Sequence, residues 1–250
     1  MSVMTPASVL KLDSLKQLRM LSCDNFAKRR MSEEEIRHIF KICDALWLHS
    51  GDPKDPHAEL TSGKCSDGFV NVLQVLRHTN LCEVFAGELI KVVKDHPNFT
   101  GSKPFDWVIG SDHAGATLSF EIARQLGAQH DFTEKDPRED NKKRQTWKRF
   151  QITPTERVLR AEELITTTRT LKEVTDALRR GNEALVNFHP LIGVLVHRSD
   201  ATEFDCVPIV YVIHFDIRVW DPAECPLCKA GSKPIRPKTN WNKLIANNGA

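Results

Sequence analysis

The sequence predicts an α/β fold with a mostly parallel central sheet flanked by helices. Two observations carry this. Between Phe105 and Phe215 short apolar segments alternate with segments of helical period, the pattern of parallel strands joined by crossover helices. The chain has 250 residues, 40% of them apolar, enough for one large buried core.

Residues 1–31 read as an N-terminal extension and 32–250 as a single domain, with a core over about 82–215 and a small hood from 32–81 and 216–250. Ser32 with Glu35 forms a capping box, and Ile36, Ile39, Phe40, Cys43 and Leu46 share a face. Ser32 to Leu48 is therefore expected to be one helix. A polar break, His49 to Pro56, precedes Leu60-Thr61-Ser62-Gly63-Lys64 and a mostly apolar stretch, Phe69 to Leu76. Cys82 to Lys94 is a helix, with Phe85, Leu89, Val92 and Val93 at helical spacing. Phe105 to Ile109 is a strand ended by Gly110, and Ala116 to Leu126 a helix closed by Gly127. Asp131 to Lys148 carries five acids and six bases and reads as a charged excursion. Arg157 to Ala161 is a short strand, and Thr170 to Arg180 a helix stopped by Gly181. Leu191 to His197 and Pro208 to Phe215 are β-branched strands. From Trp220 onward the Pro-, Cys- and Lys-rich tail shows no element.

Composition narrows the function. Lys plus Arg (35) nearly balances Asp plus Glu (33), a formal charge of +2, which removes the main argument for nucleic-acid binding. No apolar run approaches the roughly 18 residues of a membrane span, and Met1 to Met20 lacks the apolar stretch of a signal peptide. Seven scattered cysteines make no disulfide framework, so a cytoplasmic protein is expected. His189, His197 and His214 lie on or beside apolar strands and are expected as core groups. Lys142-Lys143-Arg144, flanked by acids, is expected as a solvated loop.

Most of the chemistry lies between Val158 and Thr170. A strand runs into Glu162-Glu163, then a hydroxyl-rich turn, Thr166-Thr167-Thr168-Arg169, then a helix for which Thr170 and Glu173 form a capping box. Unsatisfied N–H groups at a helix N-terminus favour a phosphate. Paired acids at a strand's C-terminal end can hold sugar hydroxyls, or a metal through water. An ordinary strand–turn–helix with a solvated acidic pair is the alternative. Cys225-x-x-Cys228 supplies half of a zinc set. With no second close cysteine pair, two packed thiols in the tail are expected, and a zinc site is the alternative.

The stretch from Val158 to Thr170 resembles the phosphoribosyl-diphosphate motif of type I phosphoribosyltransferases. The resemblance runs in order over roughly residues 32–235 and is nearest to the orotate type. Leu60 to Lys64 with Ser66-Asp67 is similar to a segment near the start of those enzymes. Val108 to Ala116 is similar to their diphosphate loop, and Phe132-Thr133-Glu134-Lys135 to the start of their catalytic loop. Arg149-Phe150, Ile152, Pro154 and Glu156 to Leu159 resemble the approach to the motif, and Cys225 to Gly231 a tail of some members.

The resemblance implies transfer of ribose 5-phosphate from phosphoribosyl diphosphate to a nucleobase, with Mg²⁺ as cofactor and a homodimer as the assembly. Glu162 and Glu163 would hold the ribose hydroxyls, and Thr166 to Thr170 the 5′-phosphate. Ser111, Asp112, His113, Ala114 and Gly115 would wrap the diphosphate, and Lys135 would close over it. Ser62, Gly63 and Lys64 would meet the base. Thr168 and Arg169 stand where the motif has glycines, Thr155 where a turn glycine is usual, and His113 where a lysine or small residue is common. A non-catalytic protein that binds phosphoribosyl diphosphate or a nucleotide on the same fold is the alternative.

Overall fold

The computed structural model describes residues 3–99, 105–137 and 144–245. The chain begins with two short helices, α1 (Pro6–Val9) and α2 (Leu15–Leu18), which place Val9, Leu18, Leu21 and Phe26 in the main apolar core. The capping box at Ser32 forms: its hydroxyl accepts from the Glu35 N–H, and the Glu35 carboxylate accepts from the Ser32 N–H. Helix α3 (Glu33–Ile42) does not reach Leu48, however. Asp44 takes the left-handed conformation, φ 51, which an aspartate tolerates better than most residues and which ends a helix. Leu46–Leu48 is then strand β1, antiparallel to β4 (Gly68–Val70). Between them lie β2 (His57–Glu59) and β3 (Cys65–Ser66).

Helix α4 (Leu73–Leu76) leads into α5 (Thr79–Asp95), β5 (Trp107–Gly110) and α6 (Ala114–Leu126). Gly127 closes α6 at φ 65, where a side chain would be strained. Strand β6 (Gln129–Phe132) follows, then a ribbon of β7 (Glu134–Lys135) and β8 (Gln145–Thr146). Residues 138–143, with Lys142 and Lys143 of the basic cluster, lie outside the described residues. Strand β9 (Arg157–Ile165) is nine residues long and carries Glu162 and Glu163 within it, where a strand ending at Ala161 was expected. Helix α7 (Arg169–Gly181), β10 (Asn187–His197), β11 (Glu203–Phe204) and β12 (Val207–His214) complete the core.

The central sheet has the order β11-β12-β10-β9-β5-β6 and is parallel except for the antiparallel edge strand β11. Helices cover both faces. On one, Phe40 of α3 meets Phe85 of α5 and Phe215, each ring pair 5.6 Å apart. On the other, Val174, Ala177 and Leu178 of α7 pack on Trp107, Ile109, Trp147 and Val158. Each Val, Leu, Ile or Phe among them, fully buried, contributes about 1.5–3 kcal/mol. His189 and His197 are buried on β10, and burial holds His189 down at about 4, so it stays a neutral core group near neutral pH.

The tail was expected to be irregular but forms β13 (Val219–Trp220), α8 (Pro226–Lys229), β14 (Pro234–Ile235) and α9 (Pro237–Ile245). Strands β13 and β14 are two residues each, too short for hydrophobic period to reveal, and are defined by pairing instead. They build a second sheet, β13-β3-β2-β14, with Trp220 opposite Cys65 and Ile235 opposite Ala58. Helix α9 holds the end of the tail down: Leu244 packs on Trp47 and Ala58, and Trp241 Nε1 donates to the Asp44 carbonyl (2.9 Å). No described helix is long and apolar enough to cross a membrane.

Candidate active site

The C-terminal ends of β5 and β9 meet at one edge of the central sheet, where open α/β sheets bind ligands. From β9, Glu162 turns its carboxylate under the loop that follows β5. It accepts from the Ser111 N–H (3.2 Å) and the Ser111 hydroxyl (2.7 Å). Gly115 makes room for this: a Cβ there would sit 2.7 Å from Ser111 Oγ, 3.1 Å from Glu162 Oε2 and 3.3 Å from Glu163 Oε2. The two neighbouring acids of β9 thus bring oxygens to one patch of bare backbone.

That arrangement is electrostatically unfavourable without a partner. Burial, and then repulsion from Glu163, push the Glu162 carboxyl well above the usual carboxylate range, against the two Ser111 hydrogen bonds that favour its ionised form. Burial raises Glu163 to about 7, with Asp112 adding repulsion. Glu163 Oε2 is buried and has no hydrogen-bond partner. A hydroxyl or a hydrated cation would satisfy both the charge and the orphaned oxygen.

The loop between β5 and α6 is held from the other side by cations and amides. Lys135 of β7 places Nζ 3.1 Å from Asp112 Oδ2, and Gln145 of β8 donates to Asp112 Oδ1 (3.3 Å). His113 stands at φ 62, a conformation costly for a side-chain-bearing residue, and its exposed ring lies 3.7 Å from Asp112. Ser111, Asp112, His113, Ala114, Lys135, Glu162, Glu163, Thr167, Arg169 and Thr170 all line one cavity of about 480 Å³.

The turn after β9 departs from expectation. Thr170 does not cap α7. The helix starts at Arg169 after Thr168, which has φ −75 and ψ 6 and makes no side-chain capping bond. The N–H groups of the helix's first turn lack a side-chain cap from Thr168. Arg169 is exposed at the first helical position.

Thr166 lines a neighbouring cavity of about 470 Å³, which also holds Arg198, Arg218 and Trp220. Arg198 follows directly on β10, and its Nε is buried with no partner. Burial lowers its guanidinium to about 10, against the attraction of Asp67. Nothing in the sequence singled it out; only its place, one residue past a parallel strand's C-terminal end, could have. The Ser62-Gly63-Lys64 turn lines neither cavity. It joins β2 to β3, with Gly63 at φ 81, and Lys64 reaches Asp221 (3.4 Å), the residue after Trp220. A third cavity, about 620 Å³, lies between Phe69, Trp241 and Lys238 and touches Glu163. Lys238, on the tail helix, also lines the acid-pair cavity and was not foreseen. Cys225 and Cys228 lie beside His57 of β2 and Cys65 of β3 in the second sheet.

A mostly parallel sheet that gathers an acid pair, a hydroxyl-rich turn and a helix N-terminus at one edge, under a small second sheet, has the build of a type I phosphoribosyltransferase. The solved orotate phosphoribosyltransferase of Aeropyrum pernix has the same fold, with a TM-score of 0.53 and 18% identity over 71% of this chain and 92% of that one. No protein-family model matches the chain. Curated orotate phosphoribosyltransferases do, two of them as follows. The orotate phosphoribosyltransferase of Caldanaerobacter subterraneus subsp. tengcongensis is 30% identical over 207 residues, 83% of this chain and 97% of the relative. That of Desulforamulus reducens is 31% identical over the same shares. The chain belongs to the orotate phosphoribosyltransferase family.

Proposed function

We propose that the protein transfers the ribose 5-phosphate of phosphoribosyl diphosphate to orotate and releases diphosphate. The observation that carries this is the single cavity shared by the acid pair, the Ser111–Gly115 loop, Lys135 and the start of α7.

In this reaction the bond from the anomeric carbon to diphosphate breaks with its electron pair leaving on oxygen, and a ring nitrogen of the base forms the new bond as its proton passes to solvent. The protein's work is positioning and charge. Glu162, fixed by Ser111, and Glu163, with a free Oε2, take the ribose hydroxyls. Thr166, Thr167, Thr168 and Thr170 offer hydroxyls, and the first turn of α7 offers N–H groups, to the 5′-phosphate, with the exposed Arg169 beside them. The backbone of Ser111 to Gly115 lies along the diphosphate. Lys135, already at this loop, exchanges Asp112 for the leaving group. The acid pair and its orphaned oxygen also suit water-held Mg²⁺, which supplies neutralisation of the diphosphate charge.

The base belongs in the cavity that shares Thr166 with the phosphate turn. Arg198 has a donor to spare for the orotate carboxylate, and Trp220 offers a face for the ring. The Ser62-Gly63-Lys64 turn stands at its hood side through the Cys65–Trp220 pair. The same reading sets the protein in the cytoplasm as a homodimer. Diphosphate release with phosphoribosyl diphosphate and Mg²⁺, measured against orotate, uracil and adenine in turn, tests the reading. Turnover with orotate alone is expected; tight binding of phosphoribosyl diphosphate without turnover on any base would favour a sensor instead.

A further inference from the structure

We propose that the second sheet is built around a structural zinc ion held by His57, Cys65, Cys225 and Cys228. The four ligand atoms lie within 4.8 Å of one another. Cys65 Sγ is 3.7 Å from Cys228 Sγ, and His57 Nε2 is 3.8 Å from Cys225 Sγ and 3.3 Å from Cys228 Sγ. A tetrahedral site with zinc–sulfur bonds of about 2.3 Å and a zinc–nitrogen bond of about 2.0 Å has edges of roughly 3.5–3.8 Å. The three separations lie within about 0.3 Å of those edges, and a disulfide would need sulfurs about 2 Å apart.

The groups around the cluster are arranged for a cation. Ser232 Oγ donates its one hydrogen to the Asp55 carbonyl (2.6 Å), so at 2.8 Å from His57 Nδ1 it can only accept. That fixes the hydrogen of His57 on Nδ1 and leaves the Nε2 lone pair facing three sulfurs, the outer support a metal-bound histidine requires. The Cys228 N–H donates to Cys225 Sγ (3.4 Å), a bond that favours a thiolate. His57, Cys65 and Cys225 are buried, and none of the three belongs to an apolar cluster of the core. Three thiols whose side-chain contacts are to one another and to His57 Nε2 are poorly satisfied as plain packing.

The second sheet also needs a staple. Its strands are only two or three residues long, too little for a self-sufficient core. The ligands come from β2, from β3 and from the segment between β13 and β14, so one ion ties the tail to residues 57–66. Sulfur-rich tetrahedral coordination with one imidazole and no open position is a closed, structural zinc set.

Elemental mass spectrometry of the full-length protein, purified without chelator, tests this, together with visible spectra after exchange into Co²⁺. One zinc per chain is expected, and the Co²⁺ form should show the bands of tetrahedral cobalt thiolate. Cys65→Ser and Cys228→Ser should lose the metal, while Cys206→Ser, at an exposed turn of the central sheet, should keep it. Should the serine variants fail to fold, His57→Cys keeps four ligands and should retain one metal with a shifted cobalt spectrum. Wild-type protein that folds metal-free, an octahedral cobalt spectrum, or a Cys65–Cys228 disulfide in the intact mass would overturn the proposal.

Discussion

Glu163 Oε2 is the atom around which the account of the site turns. It is buried, unpartnered and attached to a carboxyl that burial raises to about 7. A carboxyl raised in the folded state favours folding below its ordinary value of 4.5, and that advantage is lost as pH climbs through about 7. The ligand-free protein should therefore lose thermal stability between pH 5 and pH 8. In the Glu162→Gln, Glu163→Gln variant, which never ionises, most of that slope should vanish. Melting curves at both pH values check this; an unchanged slope would place the cause elsewhere. Arg198 carries the matching expectation for the base. Arg198→Ala should raise KM for orotate by about 10-fold or more, as loss of a charge-assisted bond of ~1.5–3 kcal/mol implies, and leave KM for phosphoribosyl diphosphate nearly unchanged. Steady-state kinetics varying each substrate separates the two; equal effects on both would remove Arg198 from base recognition.

Among the elements, length decided what the sequence could show. Helices α5, α6 and α7 and strands β10 and β12 span 8–17 residues, long enough for period and caps to mark them. The strands of the second sheet span two or three residues and exist only because residues far apart pair, as Cys65 does with Trp220. The same distance hid His57 and Cys65 as companions of Cys225 and Cys228, since no spacing rule connects positions more than 150 residues apart. The acid pair and the threonine turn were legible because one continuous stretch carries them. Arg198 was not, because a lone arginine after a strand has no pattern of its own. The end of α3 was missed because Leu46 continues the helical period past Asp44, whose left-handed backbone then breaks it. Asp44→Gly should relieve that conformation and raise stability by roughly 0.5–1 kcal/mol after the glycine's greater unfolded-state entropy is subtracted. Urea unfolding checks this, and a loss of stability would show that the aspartate side chain holds the turn.

At the scale of the whole molecule, two sheets divide the work. The parallel sheet presents the acid pair, the Ser111–Gly115 loop and the start of α7 at one edge, rigid because strands buried on both faces hold them. The smaller sheet and the tail helix bring Arg218, Trp220, Lys238 and Trp241 to the same edge. The proposed function seats phosphoribosyl diphosphate in the acid-pair cavity. Calorimetric titration of that compound with Mg²⁺ into the wild-type protein and into the Glu162→Gln, Glu163→Gln variant tests it most directly. An affinity loss of roughly 100-fold is expected, the order that follows when buried charged hydrogen-bonding partners are removed, in a variant that melts no lower than the wild type at pH 8. Equal affinities for the two proteins would contradict it.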